Sequence, residues 1–222
     1  SMNFLNDLEV IVLAEKFLEI LGIRKKLLLQ INSLGNLESR KIYSSELQKF
    51  LKKNKNNLSD RSKERLLKNP LRVLDSKDSK DLDILPETPD IRNYLDKESK
   101  TFFENLIKNL DDLNINYNIN RFLVRGLDYY NHSAFEYVTS DNKSQNTVLA
   151  GGRYDGLIKS LGGSELTGVG WAAGIERIVL QLEKSIQEDI KTICFFSSNE
   201  ELNIEVFKII NEINLPTSFN IN

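Results

Sequence analysis

The chain has 222 residues, enough for one large domain or two small ones, and 40% of them are hydrophobic, so it can bury a substantial core. Its formal net charge of -2 gives no overall basic signal, and any binding of nucleic acid must therefore depend on local patches. With one cysteine, Cys194, and one histidine, His132, the sequence excludes an internal disulfide and a zinc site of the usual Cys/His kind.

Hydropathy gives no sign of a membrane protein. No segment is apolar for the roughly 20 residues that a membrane-spanning helix needs, and no secretory signal is visible. We therefore expect a cytoplasmic protein.

A helix and a strand are the first predicted elements. Asn6 followed by Glu9 resembles a capping box. Apolar residues then recur at helical spacing, at Val10, Leu13, Ala14, Phe17 and Leu21. Gly22 is expected to end this helix, and residues 27–32 predict a strand before the turn at residues 33–35.

Residues 36–115 form a different block, rich in lysine and asparagine and helical in period. Two apolar stripes mark its longer helices, Tyr43, Leu47, Phe50 and Leu51 in one, and Phe103, Leu106, Ile107, Leu110 and Leu113 in the other. Between them, Ser59 is expected to cap a short helix that ends before Pro70, and Pro86 and Pro89 predict a loop.

The first half of this block carries a run of basic residues. They are Lys49, Lys52, Lys53, Lys55, Arg61, Lys63, Arg65, Lys68 and Arg72. From the residues alone, the ordinary interpretation is a solvated helical face.

The stretch from Leu123 to Tyr130 places an arginine, a glycine, an acid and two tyrosines close together, between segments with the alternation of strands. On a regular strand, Arg125 and Tyr129 share a face, so a guanidinium and a phenol can meet the same ligand. The planar guanidinium suits a carboxylate or a phosphate. A structural explanation is equally open: Arg125 pairs with Asp128 or Glu136, and the tyrosines belong to the core.

Asn131 and His132 are predicted at the turn of a hairpin, with His132 in solvent. No obvious nucleophile lies beside His132, and a histidine-based catalytic triad is therefore not expected.

Two glycine-rich segments follow. Ala150-Gly151-Gly152-Arg153-Tyr154-Asp155-Gly156-Leu157 places adjacent glycines at a strand end, where a ligand can approach the backbone. From Gly168 to Gly174, small residues occupy every second place on a strand that runs into a helix, which predicts a flat slot suited to a purine. Arg177, in the first helical turn, adds charge beside free backbone N–H groups, so an anion site is predicted next to the slot.

After Glu183 a polar stretch reads as a linker. A strand at residues 192–196 and a helix at residues 200–213 follow, which predicts the first βα unit of an α/β domain.

These segments together resemble the histidyl-tRNA synthetase family. RGLDYY at residues 125–130 and AGGRYDGL at residues 150–157 are similar to the family's two signature segments for histidine, and residues 168–177 resemble motif 3 of class II synthetases. The resemblance implies an α+β fold: a mainly antiparallel class II sheet with flanking helices, an all-α insertion and the start of an α/β domain. The corresponding predicted divisions are residues 1–35, 36–115, 116–186 and 187–222.

The resemblance also implies a role for each matching residue. Arg125 is the catalytic cation, at the α-phosphate and the substrate carboxylate. The histidine pocket comprises Arg125, Tyr129, Tyr130, Gly151, Gly152 and Tyr154. Gly170 and Gly174 shape the adenine slot, and Arg177 braces the γ-phosphate. Asp128, Arg153, Asp155 and Glu176 are interpreted as structural partners, and no metal-binding residue is predicted.

The implied reaction is ligation of L-histidine to tRNA(His) through a histidyl-adenylate, with ATP and with Mg²⁺ held by the ATP phosphates. In the resemblance, the helical insertion lies over the acceptor end of the tRNA, and the full-length enzyme is a homodimer. Motif 1, motif 2 and the acidic segment that recognises the amino group of histidine do not occur in these 222 residues. We therefore expect the chain by itself to be inactive.

A second hypothesis is a synthetase-like regulatory paralogue that binds histidine or tRNA without charging it. RGLDYY, the motif 3 arginine and the helical insertion favour the enzyme. A generic nucleotide-binding domain would leave the paired tyrosines unexplained.

Overall fold

Five strands form one sheet, and the alternation of apolar residues along them decides which face is covered. The computed structural model describes residues 3–124, 129–139, 146–182, 193–196, 208–209 and 217–220. The strands are β1 (Leu27–Ser33), β2 (Tyr117–Ile119), β3 (Asn131–Thr139), β4 (Thr147–Arg153) and β5 (Val169–Ala173), in the order β2-β1-β3-β4-β5. Only the β1–β2 pair within this sheet is parallel. The predicted α+β class with a mainly antiparallel sheet is confirmed.

Two long helices cover one face of this sheet. Helix α1 (Phe4–Ile20) and helix α5 (Lys97–Asp112) pack in one hydrophobic cluster with β1, β3 and β4. Leu29 and Ile31 of β1 lie opposite Tyr137 and Phe135 of β3, and all four side chains are fully buried. Burial of each such side chain stabilises the fold by about 1.5–3 kcal/mol.

The other helices belong to a second cluster. They are α2 (Leu37–Lys53), α3 (Asp60–Lys68) and α4 (Ser79–Ile84), with 3₁₀ turns at Lys55–Asn57, Pro70–Val73, Leu85–Glu87 and Ile91–Tyr94. Tyr43, Leu47 and Leu51 supply the buried stripe of α2, as predicted. The side chain of Ser59 accepts a hydrogen bond from the N–H of Ser62, which confirms the predicted cap of α3.

A buried carboxylate lies at the centre of this second cluster. Oδ2 of Asp81 accepts hydrogen bonds from the hydroxyls of Ser59 (2.7 Å), Ser62 (2.6 Å) and Ser76 (2.5 Å), and Oδ1 accepts the N–H of Ser59 at 2.8 Å. Burial by itself would raise the pKa of Asp81, but these bonds together outweigh it and lower the pKa. Asp81 thus joins α3 to α4 and to the turn before it.

The structure corrects three details of the sequence analysis. The cap of α1 is Asn3, whose side chain accepts the N–H of Leu5, so the helix begins before the predicted Asn6. Leu13 and Leu113 are more than half exposed, although both fit the apolar spacing. His132 lies in β3 and is 2% exposed, so it is not a solvated turn residue.

Residues 183–222 form a separate compact unit. Its described strands, β6 (Ile193–Phe196) and β7 (Thr217–Asn220), pair in parallel from Ile193 opposite Thr217 to Phe196 opposite Asn220. Parallel neighbours need a crossover connection, commonly a helix, and residues 208 and 209 are helical. The rest of the predicted helix at 200–213 lies outside the described residues, and the predicted division into four segments stays a prediction.

No helix among the residues that the structure describes is long and apolar enough to cross a membrane.

Candidate active site

Three tyrosines meet at one end of the β3–β4 hairpin. Tyr129 and Tyr130 come directly before β3, and Tyr154 comes directly after β4. Asn131 is the partner of Arg153 in the sheet, so the register brings the flanking tyrosines together. The ring centroids are 4.8 Å apart for Tyr129 and Tyr130, and Tyr154 is 6.2 Å from each, with its ring nearly perpendicular to both. These three residues, predicted for the histidine pocket, form one cluster that we call the tyrosine cluster.

Glycines provide the space in which two of these rings lie. A Cβ on Gly168 would be 2.4 Å from Cε2 of Tyr154, and one on Gly170 would be 3.1 Å from its hydroxyl oxygen. A Cβ on Gly152 would be 3.1 Å from Cδ1 of Tyr130. Gly168, just before β5, and Gly170, within β5, therefore lie against the side chain of Tyr154. The predicted adenine slot did not include this contact.

The sheet face opposite the two core helices has two aligned rows of side chains. Residues paired across antiparallel strands lie on the same face. The register gives one row of Gln30, Glu136, Ala150 and Ala172, and a second row of Asn32, Ala134, Gly152 and Gly170. Both rows change from polar residues on β1 to small ones on β4 and β5. The small-residue surface predicted on β5 thus continues onto β4.

Ion pairs and hydrogen bonds of Arg153 and Asp155 fix the backbone next to the tyrosine cluster. The guanidinium of Arg153, 1% exposed, pairs with Asp7 of α1 and with Asp155, whose Oδ1 is 3.1 Å from Nη1. The same oxygen of Asp155 accepts the N–H of Gly168 at 3.1 Å. Asn131 donates to the other oxygen of Asp155 at 3.3 Å. The interpretation of Arg153 and Asp155 as structural partners agrees with these contacts.

Charge pairing also affects protonation in this network. Burial alone would lower the pKa of Arg153, but the hydrogen bond and the charge of Asp7 raise it. Burial lowers the pKa of His132, which packs on Phe102 with ring centroids 5.0 Å apart. We therefore expect a neutral His132 at pH 7 beside a permanently charged Arg153.

After β4 the chain forms the one-turn helix α6 (Leu157–Ser160). Arg177 lies in the next short helix, α7 (Ile175–Val179), which begins after Gly174. Its side chain folds back toward Gly174, where a Cβ would be 3.4 Å from Cδ of Arg177. Nη1 of Arg177 donates to the carbonyl of Thr147 at 2.5 Å. This arginine is held at the edge of the small-residue surface, and its role at the γ-phosphate stays a prediction.

Arg125, Gly126, Leu127 and Asp128 lie outside the described residues. The chain that leads to Arg125 is tied to the sheet by Asn32, whose Nδ2 donates to the carbonyl of Leu123 at 3.1 Å. A polar cavity of about 300 Å³ adjoins this point. Its lining includes Gln30, Asp75, Lys77, Glu136, Thr147 and Val124.

A second cavity, of about 470 Å³, opens beside the tyrosine cluster. Its lining is Leu37, Arg40, Tyr129, Tyr130, Asn131, Gly156 and Ser160. Arg40 was not predicted as a site residue, because nothing in the helical pattern of α2 distinguishes it from the other basic residues there. The bond between Asn131 and Asp155 was not predicted either.

No group of three or more His, Cys, Asp or Glu side chains that could hold a metal ion occurs within the described part of the chain.

Comparison with known proteins identifies the family. The sequence model of the family described as Histidyl-tRNA synthetase matches residues 2–178. A histidine--tRNA ligase of Wolbachia pipientis wMel is 49% identical over 183 residues, which cover 82% of this chain and 45% of that protein. One from Rickettsia felis is 44% identical over 212 residues, covering 95% of this chain and 51% of that protein. The chain thus spans about half the length of the curated relatives that it matches.

Solved structures agree with this result. The apo histidyl-tRNA synthetase of S. aureus has a TM-score of 0.65 and 29% identity, covering 100% of this chain and 56% of that one. A second structure comes from Bacillus halodurans C and is named ATP phosphoribosyltransferase regulatory subunit/histidyl-tRNA synthetase. It is 18% identical, with a TM-score of 0.54, and the match covers 98% of this chain and 59% of that one. At this identity the match shows a likeness of fold alone. From the family match and the relatives together, the chain belongs to the histidyl-tRNA synthetase family.

Proposed function

We propose that the full-length protein containing these residues ligates L-histidine to tRNA(His) in two steps. The carboxylate of histidine attacks the α-phosphorus of ATP, which forms histidyl-adenylate and releases pyrophosphate. A terminal ribose hydroxyl of the tRNA then attacks the histidyl carbonyl and releases AMP. The observation that carries the proposal is the tyrosine cluster over Gly152 and Gly170, at the end of a small-residue surface.

The proposed histidine pocket has the right chemistry for an imidazole. Tyr129, Tyr130 and Tyr154 present flat apolar walls, and each carries a hydroxyl that can donate or accept a hydrogen bond. Gly151 is paired with Phe135 and Trp171 on the core face of the sheet, where a Cβ would be 2.7 Å from the Phe135 ring, so it is proposed to line the pocket through its backbone alone. The glycines therefore keep the wall thin and the backbone close to the ligand.

Cations rather than a general base are proposed to drive activation. Negative charge builds on the α-phosphate oxygens in the transition state, and preorganised donors stabilise it. Arg125 is proposed at the α-phosphate and the substrate carboxylate, Arg177 at the γ-phosphate, and Gly170 and Gly174 beside the adenine. Mg²⁺ carried by the ATP phosphates neutralises part of their charge.

Pyrophosphate exchange dependent on L-histidine tests this proposal in the full-length protein. Arg125→Ala is expected to lower the exchange rate about 100-fold or more, because it removes a donor to developing charge. Its matched control is Arg92→Ala, since Arg92 bonds Asp90 in the helical segment. No exchange by the wild type, or retention of more than about a tenth of the rate by Arg125→Ala, contradicts the proposal.

The 222 residues alone are proposed to give no exchange, because ATP must be held from two sides and these residues supply only the side with Arg125 and Arg177. Robust exchange by this chain would contradict that part. A homodimer and a cytoplasmic location are proposed for the full-length protein.

We further propose that the basic residues of α2 and α3 contact tRNA. Lys52, Lys53 and Lys55 are exposed at the end of α2. Changing these three to Glu is expected to weaken tRNA binding and to reduce its dependence on salt, while exchange without tRNA stays unchanged. The control is the double variant Lys97→Glu, Lys100→Glu, because both lysines are exposed on α5. Equal tRNA affinities for the two variants would show that this surface is only a solvated helical face.

A further inference from the structure

The segment that enters helix α2 is bonded to the segment that follows the tyrosines. The N–H of Leu34 donates to the carbonyl of His132 at 2.6 Å, and the N–H of His132 donates to the carbonyl of Gly35 at 2.8 Å. Gly35 has a φ of 65°, and a Cβ there would be 2.7 Å from Leu95. Only glycine fits this bend without strain. The start of α2 therefore has a defined position relative to the start of β3.

A pair of reciprocal caps makes this position rigid. Asn36 caps α2 by accepting the N–H of Ser39 at 2.8 Å, and Asp96 caps α5 by accepting the N–H of Ser99 at 3.0 Å. The two capping side chains are bonded to each other, since Nδ2 of Asn36 donates to Asp96 at 2.9 Å. The N–H of Asp96 in turn donates to the hydroxyl of Ser39 at 3.1 Å. Because α5 packs in the core of the sheet, the first turn of α2 is anchored to that core.

Arg40 extends from this anchored turn to the tyrosine cluster. Its N–H donates to the carbonyl of Asn36 at 3.0 Å, and its Nη1 donates to the carbonyl of Tyr130 at 2.9 Å. Tyr130 precedes β3, and the pairing of β3 with β4 shifts register between Asn131 and Ala134. The regular ladder does not include Tyr130, so the bond from Arg40 fixes its backbone where the ladder does not.

The orientation of the Tyr130 ring depends on this backbone. The ring lies over Gly152 and contacts both other rings of the tyrosine cluster. A small rotation at Tyr130 would move its hydroxyl and change the contacts with Tyr129 and Tyr154. Sites that recognise a polar ligand are sensitive to shifts of this size, because hydrogen bonds weaken steeply with misalignment.

We propose that Arg40 is a positioning residue for the histidine pocket: through the carbonyl of Tyr130, helix α2 sets the affinity for the amino acid. The inference rests on the proposed function. Arg40 lies on the helix whose far end carries Lys52 and Lys53, about 20 Å away at 1.5 Å per residue. The same helix thereby joins the proposed tRNA surface to the amino-acid pocket.

Steady-state exchange kinetics of the full-length protein test this proposal. The variants are Arg40→Ala, Arg40→Lys and the control Lys41→Ala, which removes one positive charge from the same turn at an exposed position. Arg40→Ala is expected to raise the KM for histidine about 10-fold, the usual size for a lost hydrogen bond of a charged donor. The KM for ATP and kcat are expected to stay within about twofold, since Arg40 bonds the carbonyl of Tyr130, which is proposed for histidine. Arg40→Lys keeps one donor, and its KM for histidine is expected to lie between those of the wild type and Arg40→Ala.

Each outcome supports or overturns the proposed positioning role of Arg40. A KM for histidine in Arg40→Ala equal to that of Lys41→Ala, or an equal rise for both substrates, overturns the proposal. If the alanine variant does not fold, Arg40→Lys carries the test, and a KM within twofold of the wild type overturns it. A wild type without exchange contradicts the proposed function instead, and calorimetric binding of L-histidine to the same variants then tests Arg40 separately.

Discussion

Asp7 and Arg153 form a buried ion pair across 146 positions of sequence, with side-chain exposures of 0% and 1%. Asp7 lies on α1, and Arg153 is the last residue of β4, next to Tyr154. Nη2 of Arg153 also donates to the carbonyl of Asn3 at 3.1 Å, and Ser133 donates to Asp7. The helix behind the sheet therefore fixes the strand end from which the tyrosine cluster begins.

The first prediction is that Arg153→Met destabilises the 222-residue chain by about 3–5 kcal/mol, because it leaves the buried carboxylate of Asp7 without its counter-ion. Urea unfolding followed by the fluorescence of Trp171, the only tryptophan in the sequence, measures this loss. Arg92→Met is the control: its partner is Asp90, the Arg92 side chain is 43% exposed, and we expect a change below about 1 kcal/mol. Equal losses for the two variants would show that the buried pair adds nothing beyond an exposed one.

Local patterns were sufficient to predict much of the fold. Ser59 caps α3 because a hydroxyl before a helical run satisfies a free N–H. The strand patterns at residues 27–32 and 135–139 predicted β1 and the second half of β3. Asn3 was missed as the cap of α1 because Asn6 with Glu9 has the spacing of a capping box, whereas Asn3 has no acid or glutamine three residues later. Sequence spacing does not say which of two asparagines begins the helix.

The parts that were missed depend on contacts between distant residues. His132 follows two tyrosines and an asparagine, which is typical of a turn, but the pairing of β3 with β1 and the ring of Phe102 bury it. Asp81 and Arg40 lie in charged helical stretches, and their bonds to Ser59 and to Tyr130 cross 22 and 90 positions. Such contacts appear only when the helices are in place. The tyrosines and glycines of the candidate site were predicted because the family resemblance lies in contiguous segments.

The second prediction concerns acid stability of the helical cluster around Asp81. Its lowered pKa means that the unfolded chain binds the proton more tightly, so the stability from its serine bonds is present at neutral pH and is lost as the pH falls. We expect this loss to begin as the pH falls to the ordinary value of about 3.9 and to continue down to the lowered pKa.

Asp81→Asn is expected to destabilise the helices by about 1.5–3 kcal/mol at pH 7 and to make their stability less dependent on pH below 5. Urea unfolding followed by far-ultraviolet circular dichroism at pH 7 and pH 3 measures both effects. Asp83→Asn, at an exposed position of the same helix α4, is the matched control. If the stability of Asp81→Asn depended on pH as that of the wild type does, the acid sensitivity would belong to other carboxylates.

The third prediction is that Tyr130→Phe and Tyr154→Phe weaken the binding of histidine more than the binding of ATP in the full-length protein. An unpaired buried nitrogen of the imidazole costs about 1–3 kcal/mol, which corresponds to a rise of about 5-fold to 100-fold in the KM for histidine. Tyr117→Phe is the control, since the hydroxyl of Tyr117 bonds Asp111 at 3.0 Å away from the tyrosine cluster. If the KM values for the two substrates rose equally, the assignment of these hydroxyls to histidine would be wrong.

The last prediction uses the glycines as a test of the space around Tyr154. A Cβ on Gly170 would lie 3.1 Å from the hydroxyl oxygen of Tyr154, closer than ordinary van der Waals contact, so Gly170→Ala must shift this hydroxyl by a few tenths of an ångström. We expect a rise of about 10-fold in the KM for histidine in the full-length protein and a loss of roughly 1–3 kcal/mol in stability from overpacking. Gly156→Ala is the matched control, because a Cβ at Gly156 meets no atom within 4 Å. Calorimetric titration with L-histidine measures the affinity of each variant directly. A Gly170→Ala variant that binds histidine as tightly as Gly156→Ala would mean that the position of Tyr154 does not control the pocket.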